Sequence, residues 1–408
     1  MLWANFLHIY QPPIQSRVMT ERITKECYSR ISEILNENPE AKITLNINAS
    51  LSEQLHDFGY DKLLESYNEL AKRGQIEFTS SGAYHPILPL IPKNEMKRQI
   101  VQNKIKNEKL IGNAYKPTGI WPPEMCYTKE VAEVCAELGY KWLILDEIAA
   151  TVPVYPLARI FRIKGMNKGL DKMDNNIDNK DLNKELQKEE IHKGLEFKVF
   201  FRARTPSNEI SFADLNRVSD FICVLNRYPD FSTLITATDG EVYGHHKKNL
   251  DTLWSKLLSE KRFQTITISE IEKNYGYTSE IEPLACSWAT TEEDLGRANP
   301  FPQWLNKYNI IHKKQWILTE LVIDLVNEYE GRCLPHEEGS NARQILDKAL
   351  FSCQYYWANR GSLWLPDFVI KGVDLFLQSV NMTTVPQGRP EVRLIYNLAN
   401  DIKRMVST

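Results

Sequence analysis

The sequence predicts an α/β protein, an irregular (β/α)7 barrel followed by a C-terminal helical bundle. Short apolar runs alternate with longer stretches of mixed apolar and charged spacing over about the first 290 of 408 residues, the pattern of a parallel sheet or barrel. The chemistry-bearing residues fall at the ends of runs spread over the whole series, which suits a closed barrel better than an open sheet with one switch point. After Cys286 the strand signals fade and long helical stretches take over.

Taken in order, the strands are expected at 2–7, 43–47, 76–80, 118–121, 142–145, 197–201 and 234–237. The intervening helices are expected at 22–37, 51–73, 94–111, 128–138, 212–227 and 249–258, where apolar residues recur at helical spacing. Thr128 before Glu130, and Ser269 before Glu270, read as helix starts. From 164 to 195 the chain turns charged and Asn-rich, too polar to pack, and reads as a surface insertion of the barrel. The barrel is assigned to 1–290 and a helical domain to 291–408, with helices at 304–330, 341–357, 365–379 and 392–406 packed as a bundle. No internal repeat is present.

Bulk properties narrow the function classes. The net charge of -3 supplies no basic footprint, which argues against nucleic acid or an anionic membrane as partner. No apolar stretch reaches the roughly 18 to 20 residues of a membrane span, and the N-terminus reads straight into a strand without a basic leader. The seven cysteines are scattered and never spaced as C-x-x-C, as expected for reduced thiols in a cytoplasmic protein. A homo-oligomer is compatible with all of this.

The candidate chemistry lies at strand ends, where two acids, Glu124 and Asp239, are the nucleophile and proton donor that acetal chemistry needs and so point to a sugar-processing enzyme. The first strand runs into His8-Ile-Tyr-Gln-Pro-Pro, where alternation puts His8 and Tyr10 on one side and Gln11 follows. His8 can contact a sugar hydroxyl or serve as a satisfied core histidine. After the third strand, Ser80-Ser-Gly-Ala-Tyr84-His85-Pro offers small residues for close approach, a stacking face and a polar tip. The fourth strand ends in Trp121-Pro-Pro-Glu124, where two prolines fix the backbone before the acid. Glu124 reads as catalytic, or alternatively as a first-turn acid of the next helix. Asp146 and Glu147 end the fifth strand, and Arg202, Arg204 and Asn208 follow the sixth; an arginine there would lower carboxyl pKa values or grip substrate.

The seventh strand delivers Asp239-Gly-Glu241-Val-Tyr243-Gly-His245-His246. Of the two acids flanking Gly240, Asp239 is placed in the cleft. Trp121, Tyr84, Tyr243 and Trp288 are candidate sugar-stacking rings. The histidines and acids also suit Zn, Mn or Fe. However, no H-x-x-x-H helix appears and the adjacent His245 and His246 diverge, so neither metal nor other cofactor is expected.

Together, in this order, His8-Ile-Tyr-Gln-Pro, Gly82-Ala-Tyr-His-Pro, Trp121-Pro-Pro-Glu124 and Asp239-Gly-Glu-Val-Tyr-Gly resemble the motifs of glycoside hydrolase family 57. The resemblance implies a (β/α)7 barrel with a helical C-terminal region, retention of anomeric configuration and action on α-linked glucans as amylase, 4-α-glucanotransferase, branching enzyme or relative. It implies Glu124 as nucleophile and Asp239 as general acid/base, with His8, Trp121 and the region of Trp288 lining the subsite of the attacked sugar. Gln11, Tyr84, His85, Glu241, Tyr243 and His245 complete the candidate substrate contacts. One departure is visible: Tyr10 stands where the best-known members carry the histidine of His-Gln-Pro. Such a mechanism expects the carboxyl groups about 5 to 5.5 Å apart and Asp239 raised in pKa by burial and by the Glu124 charge. A metal-dependent carbohydrate deacetylase, with metal held by His8, Asp239 and His245, and a non-catalytic glycan-binding relative are the competing readings.

Overall fold

The computed structural model describes the chain except residues 156–159, 167–196, 228–232, 276–278, 333–339, 361–362 and 408. Most of the predicted charged insertion therefore lies outside the described residues.

Side-chain alternation along the first strand decides what the barrel can enclose. In β1 (Leu2–Ile9), Trp3, Leu7 and Ile9 join an outer apolar cluster while Ala4 and Phe6 join an inner one. His8 therefore continues the inward-facing series at the strand's C-terminal end. In β2 (Ile43–Ile47) and β3 (Ile76–Ser80), Ile43, Leu45, Ile47, Ile76 and Phe78 pack outward, so the alternate Thr44, Asn46, Glu77 and Thr79 form a polar inner wall. β4 (Gly119–Ile120) is short, and a β-carbon on Gly119 would lie 2.1 Å from the Trp142 ring, so only glycine lets that ring fill the interior. β5 (Trp142–Asp146) sends Trp142 and Ile144 inward and Leu143 and Leu145 outward.

β6 (Phe161–Ile163) is a short antiparallel addition beside β7 (Lys198–Arg202), whose Phe200 faces inward. β8 (Thr233–Asp239) carries Ile235 and Ala237 inward, with Leu234 outside. β9 (Gln264–Thr265) pairs with β1, and β10 (Ser279–Ile281) pairs with β6. The parallel path runs β8-β1-β2-β3-β4-β5-β7. It curls until Ala203 N donates to Ile235 O at 2.8 Å, bringing β7 back to β8. Register levels the strand ends, with His8 opposite both Asp239 and Asn46. Ile266 and Ile268 add to the interior apolar cluster from the segment after β9. The result is the irregular (β/α)7 barrel.

The helices differ from expectation where tertiary contacts intervene. The first outer helix is one run with a π turn at Thr24–Tyr28, set between Arg17–Ile23 and Ser29–Glu37. The stretch expected at 51–73 is two helices, Ala49–Asp57 and Asp61–Lys72, separated at Gly59 with φ of 84°. A helix at Arg204–Phe212 was not foreseen, and Val218–Leu225 covers only part of 212–227. In the tail, Ile310–Glu330, Asn341–Ala349, Pro366–Asn381 and Pro390–Ser407 pack together. Their Leu318, Val322, Leu346, Phe376 and Ile395 share one apolar cluster with Leu143, Val199 and Phe201 of the barrel. The helix expected at 341–357 breaks before Ser352, whose N–H donates instead to His85 O at 3.0 Å. Among the described residues no helix is long and apolar enough to cross a membrane.

Candidate active site

Inward parity carries a set of polar side chains to one mouth of the barrel: His8 on β1, Asn46 on β2, Asp146 on β5, Arg202 on β7 and Asp239 on β8. Strand C-terminal ends are where barrel enzymes gather their chemistry. Trp121 N donates to Ser80 O at 2.8 Å, extending the β3–β4 pairing beyond the strand and bringing Trp121 into the inner cluster.

Glu124 sits in its own 3₁₀ turn, Pro123–Met125, with φ of 58°, and Met125 follows at φ 50°. Two successive non-glycine residues in the left-handed region cost on the order of 1–3 kcal/mol each and persist only where neighbours hold them. Trp288 holds this one twice: its backbone N–H donates to Glu124 O at 3.1 Å and its indole N–H to Glu124 Oε2 at 2.7 Å. His85 Nδ1 lies 3.8 Å from Glu124 Oε1. The next helix begins only at Lys129, so the first-turn, dipole-stabilised reading of Glu124 is overturned. Burial, then the Asp239 charge, push the Glu124 carboxyl up to about 8 against the Trp288 hydrogen bond.

Asp239 closes β8 beside Gly240, where a β-carbon would meet Ile9 Cγ2 at 2.4 Å. Its carboxyl is raised by burial and pulled back by the Arg202 charge. The upward direction and its cause in burial agree with expectation, whereas the Glu124 charge is not among the causes. Glu241, two residues on, is also buried and raised, by burial and then by Asp239. It accepts from Tyr28 Oη, from Gln11 Nε2 at 3.3 Å and from Tyr10 N at 3.4 Å. Gln11 Nε2 also donates to Tyr28 Oη at 2.8 Å. Both Gln11 and Glu241 thus belong to a buried network behind Asp239.

One wall is a ladder of near-parallel rings. Trp121 stacks on His8 at 5.2 Å, His8 on His85 at 4.9 Å, and His85 on Tyr10 at 4.2 Å. His8 Nδ1 bonds Asn46 Oδ1 at 2.8 Å, and burial lowers its pKa to about 4, so both it and the likewise depressed His85 are neutral near pH 7. Trp288 meets Trp121 edge-on at 5.2 Å. The opposite support comes from Asp146, fully buried, which accepts from Arg202 Nε and Arg204 Nη1, each at 2.7 Å.

The structure brings together Glu124, Asp239, His8, Gln11, His85, Trp121, Glu241 and Trp288. It takes three expected contacts elsewhere. Tyr84 turns away from His85 and donates to Glu53 Oε2 at 2.7 Å beneath Lys106. Tyr243 is buried in the outer core against Trp254 at 5.2 Å, because the 3₁₀ turn Gly240–Val242 ends the strand parity before it. His245 is paired to Glu26 through Nδ1 at 2.5 Å. The competing metal set thus disperses, with His8 on Asn46 and His245 on Glu26. Among the described residues no group of three or more His, Cys, Asp or Glu side chains is arranged to hold a metal ion.

Sequence reasoning missed the contribution of the helical tail. Ser352 Oγ lies 2.8 Å from His85 Nδ1, and Cys353 Sγ lies 4.0 Å from Tyr10 Oη. The charges of Glu124 and Asp239 both bear on the Cys353 thiol. No residue pattern near 352 announces this, since the contact is made only by folding.

The overall architecture is shared with solved structures. A family 57 branching enzyme from Thermococcus kodakaraensis superposes over 99% of this chain and 95% of its own with TM-score 0.70 at 14% identity. A 4-α-glucanotransferase from Thermococcus litoralis covers 93% of this chain and 58% of its own with TM-score 0.67 at 18% identity. At the sequence level, that 4-α-glucanotransferase is 30% identical over 141 residues, and an α-amylase from Pyrococcus furiosus 28% over 141. Each match covers 35% of this chain and only 21% of the relative, so the shared stretch spans about a fifth of those proteins. Residues 5–283 match the profile of glycosyl hydrolase family 57, and the chain belongs to that family.

Proposed function

We propose that the chain is a retaining glycoside hydrolase or transglycosylase of α-linked glucans, with Glu124 as nucleophile and Asp239 as general acid/base. The observation that carries this is the pair of inward carboxyl groups, Glu124 and Asp239, half-buried at one barrel mouth and close enough for one charge to raise the other. Its relatives' names, α-amylase and 4-α-glucanotransferase, point to the same substrate class. Substrate in the cleft is contacted by His8, His85, Trp121 and Trp288, and Gln11 and Glu241 support Asp239 from behind. Free cysteines, with no disulfide among the described residues, support a reducing, cytoplasmic setting.

In the first step ionised Glu124 attacks the anomeric carbon as Asp239 protonates the departing oxygen. In the second, Asp239 takes a proton from water or a sugar hydroxyl, which displaces Glu124. Burial holds both carboxyls above their ordinary range, so the pair shares one proton near neutrality. The attacking arrangement has the same proton count, so kcat/KM follows a bell, with its alkaline limb near the Glu124 value of about 8 and its acid limb above the ordinary aspartate range.

Incubating maltooligosaccharides with wild type, Glu124→Gln and Asp239→Asn tests the assignment. Both variants should lose at least about 10²–10⁴-fold. Azide added to Glu124→Gly should yield a glycosyl azide of inverted configuration, since it fills the nucleophile's place. An active Glu124→Gln, or inverted products from wild type, overturns the reading.

A further inference from the structure

Arg202 ends β7 on the inner face and is only 4% exposed. Three groups fix its guanidinium: Asp146 Oδ2 at 2.7 Å, the Ala237 carbonyl at 2.8 Å and Asn208 Oδ1 at 3.2 Å. Ala237 lies two residues before Asp239 on the same inward face. The guanidinium carbon is 5.2 Å from the Trp288 ring centroid, within cation–π range, and that indole donates to Glu124. Asp146 also binds Arg204, whose Nη2 donates to the Thr290 carbonyl at 2.7 Å, two residues beyond Trp288. One buried cation thus touches the elements that carry both acids.

We propose that Arg202, oriented by Asp146, is a positioning residue for both acids: it holds its charge toward Asp239 and its guanidinium face against Trp288, so that the indole N–H stays on Glu124. This rests on the roles proposed above for the two acids. The groups that face Asp239 are Glu124 from the turn after β4, Glu241 from the turn after β8, Cys353 from the tail and Arg202 from β7. His8 lies opposite it in register. Burial keeps the His8 ring and the Cys353 thiol neutral near pH 7. Arg202 is therefore the cation that opposes the burial of Asp239. A planar fork is needed to bond Asp146 and stack on Trp288 at once, and lysine lacks it.

The full chain labelled with 13C-carboxyl aspartate allows Asp239 to be titrated without any turnover, its resonance being identified by its loss in Asp239→Asn. In Arg202→Gln the midpoint should rise by about one pH unit or more. In Arg202→Lys, which keeps a cation beside Asp146, the midpoint should stay within about half a unit, and in Asp146→Asn it should fall because the arginine charge is no longer compensated. The pH dependence of kcat/KM reads the other arm. Arg202→Lys should move the alkaline limb upward, in the same direction as Trp288→Phe, with a loss of about tenfold or more in kcat/KM. A stationary Asp239 midpoint in Arg202→Gln, an equal rise in Arg202→Lys, or an alkaline limb in Arg202→Lys unchanged from wild type overturns the proposal. Failure of the functional reading shows separately, as an absence of wild-type turnover on α-glucans, and leaves the titration readable.

Discussion

Glu124 combines backbone strain, burial and a carboxyl pushed up to about 8, a costly combination for a folded protein. A carboxylate whose folded pKa lies above its unfolded value binds more protons when folded, so its presence favours folding least at high pH. Stability is lost as pH rises from about 4.3, the unfolded glutamate value, through about 8. Glu124→Gln removes that ionisation while keeping shape and the acceptor for the Trp288 N–H. Thermal unfolding should therefore show the variant more stable than wild type, by on the order of a few kcal/mol above pH 8 and by little near pH 4. A variant no more stable at pH 8 than at pH 4, relative to wild type, would mean that Glu124 ionises freely. The strain itself was not legible in the sequence. Two prolines announced rigidity before Glu124, but the left-handed turn is held by Trp288, 164 residues away.

At the scale of elements, parity explains both what the sequence disclosed and what it hid. All seven barrel strands were legible because apolar runs are required on their outer faces. Polar Thr44, Asn46, Glu77 and Thr79 at alternate positions mark the inner wall. His8 and Asp239 follow from the same alternation, as do Asp146 and Arg202. Alternation fails where the chain stops being a strand. Tyr84 and His85 are neighbours and part company, while Tyr243 and His245 follow a 3₁₀ turn and leave the cleft. That turn depends on Gly240, whose missing β-carbon leaves room for Ile9 Cγ2, 2.4 Å from where it would stand. Gly240→Ala should displace Asp239, lowering kcat more than it raises KM and costing about 1–3 kcal/mol in stability. Trimming the obstacle in Gly240→Ala/Ile9→Ala should recover part of the kcat loss. No recovery would place the damage elsewhere in the turn.

Across the whole molecule, the helical tail is part of the site rather than an accessory to it. Ser352 and Cys353 reach the ring ladder from the segment that follows the helix Asn341–Ala349, which is anchored on the barrel's outer helix Lys93–Leu110. The anchor is ionic and buried: Arg343 Nη1 bonds Glu95 at 2.7 Å, both side chains only 2% exposed, and Arg98 pairs with Asp347 at 2.7 Å. Burial raises the Glu95 carboxyl and Arg343 pulls it down. Removing the cation therefore leaves an uncompensated charge, and Arg343→Met should cost about 3–5 kcal/mol near pH 7. Because the orphaned Glu95 can take up a proton, the cost should shrink toward pH 5, where the folded state binds that proton more readily than the unfolded chain. Glu95→Gln in the same chain should recover much of the loss at pH 7 and little at pH 5, a coupling that a double-mutant cycle measures directly. If the tail holds the ladder as its contacts indicate, Arg343→Met should also lower kcat/KM at temperatures well below its unfolding midpoint. Wild-type turnover in the folded variant would show that the apolar cluster shared by tail and barrel is enough to hold Ser352 on His85.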